Sequence, residues 1–300
     1  YIEIGRENLL RFFAINLAAF TVLSVVVAVG LPSMGTHVND KFAGQWRGLL
    51  GFKNQAAWSA ALFLLTWIGA RKTRSMAQWS YPLLAIGILM LIQTGSATGL
   101  VAIGFGVASF VAVTAYRQIQ ILRPIMAMLL AMVVLTAMLD FQLVFETVLE
   151  FLGRDASLTG RTSIWSAVWP LIEERFWLGS GYLAFWDHAA EYFGNGSWMI
   201  DIGHAHNAYV EILIDVGMIG LISQVIFLIS ALWKLFYLST VRRDFNATIM
   251  FVIFLTLTVI GMAGALFFRA NTGIWVMTVA FSCYAFDKAP ARVRAAANDR

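Results

Sequence analysis

The stretch NAYVEILIDVGMIGLISQVIFLISALW, residues 207–233, is apolar apart from Asn207, Glu211, Asp215, Ser223, Gln224 and Ser230. A helix rises 1.5 Å per residue, so about 20 residues cross a hydrocarbon core of about 30 Å. This stretch is long enough to do so. Seven further apolar runs, near 9–31, 54–70, 77–94, 97–115, 124–145, 248–267 and 273–287, read the same way. Hydrophobic residues make up 60% of the 300 and charged ones 13%, with a mean hydropathy of +0.75, which leaves too little polar surface for a soluble enzyme. The expected fold is an all-α polytopic membrane protein with about eight transmembrane helices. The runs 77–94 and 97–115 are separated only by Gly95-Ser96, so they form either a tight hairpin or one bent helix, and the count is then seven or eight.

Eight spans place 14 of the 21 basic residues on one side, which the positive-inside rule makes cytoplasmic. The other side keeps Lys41, Arg47, Lys53, Arg154, Arg161, Arg175 and Arg269. Cations retained there against the rule invite a functional reading. The same side carries the one long polar segment, a loop over 146–206 that holds five of the eleven Trp residues. Within it Ile164, Trp165, Val168, Leu171 and Ile172 recur at helical spacing, which predicts an amphipathic helix over 162–174 lying on the membrane surface and kinked at Pro170. Residues 1–300 read as a single integral membrane domain with this loop inside it. The chain begins at Tyr1 and shows no signal-peptide pattern, so an N-terminal truncation is expected. Cys283 is the single cysteine, and no Cys/His cluster has zinc spacing. The pI near 9.3 comes from small basic groups scattered between spans, which are topology signals and not a nucleic-acid-binding stripe.

The densest polar constellation ends the loop: His204-Ala205-His206-Asn207, then Gly217 and Gly220. If the span begins near Asn207, His206 sits at its outer mouth, where an imidazole meets both water and a substrate from the bilayer. Either it is a general base, or both histidines satisfy backbone groups at a helix start. Gly217 and Gly220 are expected to allow close helix packing. Glu211 and Asp215 are costly at mid-bilayer unless paired or hydrated, so they face a wet cavity or the helix starts later. Arg161 and Trp165 upstream, and Arg47 and Lys53 earlier still, place cations at the same surface. A guanidinium binds phosphate oxygens bidentately and stays charged, so two arginines suit a lipid diphosphate; the competing reading is headgroup snorkelling or a salt bridge. The five loop tryptophans either stack on sugar rings or form an interfacial belt.

Together these segments resemble the O-antigen ligase and polymerase superfamily, membrane glycosyltransferases that use undecaprenyl-diphosphate-linked glycans. Arg47-Gly-Leu-Leu-Gly-Phe-Lys53-Asn54 is similar to the family's RG…KN segment, Gly160-Arg161…Trp165 to its GR…W segment, and His206-Asn207-x9-Gly217-x2-Gly220 to its histidine motif. The likeness runs over about 40–285. Family members usually have ten to twelve spans, so eight correspond to their C-terminal part. The 94–98 turn departs from the family in having Ala97 where a basic residue often follows the serine. The resemblance implies that Arg47 and Arg161 bind the donor diphosphate, that the contact this turn lacks is either absent or supplied by Lys53, and that His206 activates the acceptor hydroxyl. His204, Asn207, Glu211 and Trp165 are then supporting residues. It further implies an inverting transfer with no metal or other cofactor, at the periplasmic face of a bacterial inner membrane. The partners implied are the lipid-linked donor, an acceptor glycan or lipid A core, membrane lipids and a chain-length regulator. Polymerase and ligase both fit, the compact loop being more like the polymerases. A transporter or lipid-linked glycan flippase is the rival class, for which inverted repeats or broken helices are expected; a non-catalytic scaffold is the third.

Overall fold

The computed structural model describes residues 8–38, 40–70, 80–121, 123, 161–194, 196–200, 202–264, 266–267 and 272–287. Among them every regular element is a helix: α1 (Leu9–Gly30), α2 (Pro32–Gly35), α3 (Lys53–Ala70), α4 (Ser80–Gln93), α5 (Ala97–Gln118), α6 (Arg161–Glu174), α7 (Ala184–Asp187), α8 (Ala189–Phe193), α9 (Ala208–Thr240), α10 (Phe245–Gly261) and α11 (Gly273–Phe286). One isolated antiparallel bridge joins Thr36 to Trp46. Among the described residues three helices, α1, α5 and α9, are long and apolar enough to cross a bilayer, and α4, α10 and α11 are shorter apolar helices. The architecture is that of a helical membrane protein.

Seven of the eight apolar runs contain a helix; the run 124–145 and the loop's first part, 146–160, lie outside the described residues. Within the run 77–115 the described residues, from 80 on, form a hairpin of two helices. The Ser96 side chain accepts from the Gly99 amide and so starts α5 afresh after Gly95, whose φ of 55° turns the chain.

Helix α3 is the centre of the bundle, touched by α1, α4, α5 and α10. Fourteen of its 18 residues are buried, including Ala56, Ala57, Ala60 and Ala61, which explains how it dispenses with the apolarity of a lipid-facing span. Small residues bring its neighbours close: a Cβ on Gly99 of α5 would stand 2.5 Å from the Ala57 methyl. The second half of the bundle closes around α9 and α10, where Leu228, Ala231, Leu235, Ile253, Phe254 and Phe281 share one core.

Two expectations need correction. The apolar face of α6 does not lie on a membrane: Ile164, Val168 and Ile172 are buried against Leu213 and Ile214 of α9, and the helix continues through Pro170. Nor is α9 one continuous rod. Gly217 has φ 69° and ψ −166°, so the helix breaks there, while Gly220 is helical with space taken up only by side chains of its own helix. Sequence spacing treats the two glycines alike because a packing glycine and a breaking glycine look the same in a string.

Candidate functional site

Helix α9 starts at Ala208 because the Asn207 side chain accepts from the amides of Tyr209 (2.9 Å) and Val210 (3.3 Å), two of the donors a helix start leaves open. His206 therefore stands just outside the helix, in a left-handed conformation with φ 54° that a non-glycine residue seldom adopts. What holds it there is the backbone of Ala205. The Trp165 indole donates to its carbonyl (2.9 Å), and Glu211 accepts its amide at Oε2 (2.7 Å). The other Glu211 oxygen accepts from the Trp186 indole (3.0 Å). Glu211 is 2% exposed, so the cost of enclosing its charge is offset by these two donors, and the expected wet cavity gives way to a paired carboxylate.

The His204 ring donates from Nδ1 to the Ile202 carbonyl (2.9 Å) and lies with its centroid 4.0 Å from that of His206. The His206 ring has no hydrogen bond among the described residues, which leave both of its nitrogens uncommitted. Burial pushes its pKa down to about 4, helped by the neighbouring charges of His204 and Arg161. The imidazole is neutral at pH 7.

Arg161 is the first residue of α6, and the packing of that helix on α9 brings it to the histidine turn. Its Nη2 donates to the carbonyl of Ala263 just past α10 (3.1 Å), and burial draws its pKa below the ordinary arginine value. Only one of the five guanidinium N–H groups is taken by that bond, which leaves a fork available to an anion.

Arg47 and Lys53 belong to a neighbouring cluster. The Arg47 Nε donates to Met34 O (3.1 Å), and the backbone amides of Arg47 and Gly48 both donate to Gly35 O (2.9 Å each), which fastens the loop after α2. Lys53 is 4% exposed; its ammonium lies on Gln45 Oε1 and 4.1 Å over the Phe42 ring. The expected role of Lys53 as a substitute diphosphate contact therefore competes with a structural one. Its backbone amide donates to Nε2 of His37, whose Nδ1 donates to Asp40 (2.7 Å).

A polar ladder joins the two clusters. Ser96 Oγ donates to Asn54 Oδ1 (2.8 Å) and contacts Thr98 Oγ1 (3.0 Å), which accepts from the Trp58 indole (3.1 Å). Trp58 in turn packs on Gly264 so closely that a Cβ there would stand 2.2 Å from its ring. Gly264 follows the carbonyl that Arg161 holds. The hydroxyls of the α4–α5 turn thus support the ladder rather than line an open cavity. Trp186, Trp58 and the Ala205 backbone escape a reading by spacing, because each acts through a contact distant in sequence.

Residues 82–225 match the family described as O-Antigen ligase. The matched part contains Arg161, Trp165, His204, His206, Gly217 and Gly220, and starts after Arg47 and Lys53. Over 143 residues the chain is 29% identical to the exopolysaccharide production protein ExoQ of Rhizobium meliloti (strain 1021), an alignment that covers 44% of this chain and 30% of that protein.

Proposed function

We propose that this chain, whose residues 82–225 match the family described as O-Antigen ligase, transfers a glycan from a polyprenyl-diphosphate donor to a hydroxyl of an acceptor glycan. The reaction takes place at the periplasmic face of the inner membrane. The observation that carries this reading is an imidazole held neutral, with both nitrogens uncommitted, beside a half-buried arginine.

Attack of the acceptor hydroxyl at the anomeric carbon expels the lipid diphosphate and inverts the configuration. His206 accepts the hydroxyl proton as the new bond forms, an assistance worth about 10²–10⁴ in rate. Arg161 meets the charge that grows on the departing diphosphate, and such fixed donors favour the transition state over the ground state. Arg47 serves the second phosphate from the neighbouring cluster, with Lys53 behind it. Donor binding also tunes the base: the diphosphate offsets the Arg161 charge that presses on His206, so the imidazole becomes a stronger base when donor is present. Glu211, Trp165, His204 and Asn207 hold the turn.

The break at Gly217 is a feature that a transporter or flippase would share. The backbone groups of Ile214, Asp215, Met218 and Ile219 on either side of it are taken by residues 176–181, which favours the transferase. The test is reconstitution of the protein in liposomes with a lipid-diphosphate oligosaccharide and no other acceptor. A glycan ladder is the expected result and establishes a polymerase. A single transfer seen only after a core-lipid acceptor is supplied makes it a ligase, and no transfer in either case overturns the transferase reading.

A further inference from the structure

The two portions of α9 on either side of Gly217 have different surroundings. Residues 208–216 bury Glu211, Ile212, Leu213, Ile214 and Asp215 together, so protein encloses nearly every face. Residues 218–240 bury only a stripe at Gln224, Leu228, Ala231, Leu235 and Ser239, and turn Ile219, Ile222, Ile226 and Ile229 outward. The lower portion alone rises about 34 Å, enough for the hydrocarbon core, whereas the whole helix exceeds it. Both acidic residues lie in the upper portion.

At the junction a loop is laid into the broken helix. Met218 and Ile219 donate their amides to the carbonyls of Phe176 (2.8 Å) and Trp177 (3.3 Å), while Ser180 and Gly181 donate to the carbonyls of Ile214 (2.8 Å) and Asp215 (2.9 Å). A Cβ on Gly217 would come 2.4 Å from the Trp177 carbonyl carbon, and one on Gly179 2.6 Å from that of Asp215, so both glycines are needed for the fit. The docked loop carries Trp177 and Leu178 outward at 62% and 74% exposure, level with the top of the isoleucine stripe. Arg175, also exposed, precedes them.

We infer that the loop tip Trp177–Leu178 enters the outer leaflet of a phospholipid bilayer and that Gly217 marks the edge of the hydrocarbon. The partner is lipid because the exposed tip continues the lipid-facing stripe of α9 without interruption. An indole followed by an aliphatic side chain suits the headgroup boundary, and the Arg175 guanidinium reaches the phosphates from above. The break thereby lifts Glu211 and Asp215 out of the hydrocarbon and sets His206 up to about 14 Å above its edge, the rise of residues 208–216. This assignment is independent of the chemistry proposed for His206.

The experiment uses the full chain in phospholipid nanodiscs, with Cys283→Ser and a single Leu178→Cys carrying an environment-sensitive fluorophore. Ile222→Cys is the lipid-facing reference and Ser166→Cys, exposed on α6, the aqueous one. The expected result is loss of Leu178→Cys emission to a nitroxide near the carbonyl end of the acyl chain, as for Ile222→Cys, with little loss to aqueous iodide. Quenching by iodide alone, as at Ser166→Cys, would overturn the inference by placing the tip in water. Insensitivity to both quenchers would overturn it by showing protein over the tip.

Discussion

His37 and His206 both serve the starts of bundle helices and stand among arginines and lysines, yet they are opposite in use. In His37 one ring nitrogen donates to Asp40 and the other accepts the Lys53 amide at the start of α3, with Phe42 and Phe52 edge-on at 5.7 and 5.2 Å. That imidazole is a structural fastener. Among the described residues nothing binds either nitrogen of His206, and its backbone, held in a left-handed conformation, is fixed by neighbours instead of by its own ring. A histidine in a helix-starting turn is available for proton transfer only when other groups do the holding, and here Trp165 and Glu211 do it for His206.

That contrast is most severely strained by exchanging each imidazole for a methyl group. His206→Ala is expected to lower transfer by about 10²–10⁴-fold with the fold unchanged, measured as glycan turnover in liposomes beside the thermal midpoint. Arg161→Lys keeps the charge but loses the fork and the bond to Ala263, and turnover should fall about 10²-fold; equal turnover would make the arginine a point charge only. Glu211→Gln removes one of two oxygen acceptors and turns an amide N–H toward a donor, a fault of about 1–3 kcal/mol. If it loosens the His206 turn, kcat drops about tenfold and KM stays the same; a change in KM alone would assign Glu211 to substrate binding. His37→Ala should do the reverse of His206→Ala, costing about 1–3 kcal/mol of stability through the unpaired Lys53 amide while turnover per folded molecule stays close to wild type. The finest distinction is in pH. Because His206 must be neutral to accept a proton, kcat/KM should fall as pH drops through about 4, and Arg161→Gln should move that limb upward by removing one repelling charge.

Much of this was legible in the string. The apolar runs give the helices, Asn207 announces the start of α9, and Arg161, Trp165 and His206 do gather at one end of the bundle. Three things were not. The apolar face of α6 meets α9 instead of lipid, since amphipathicity says that a face is covered and not by what. Gly217 breaks α9 where residues 176–181 take up the backbone groups of Ile214, Asp215, Met218 and Ile219 on either side of it, a partner some 40 residues away that periodicity within one helix cannot register. Lys53 looks like a surface cation by its place at a helix start, but Gln45 and the Phe42 ring enclose it. In each case the missing information is a long-range contact.

The most direct test of the contrast between the two histidines is the single-turnover rate of glycan transfer for His206→Ala and His37→Ala, measured side by side in the same liposomes. The account predicts that His206→Ala loses about 10²–10⁴ in rate while His37→Ala keeps a rate near wild type once folded protein is counted. Wild-type transfer by His206→Ala, or an equal loss in both variants, would contradict it.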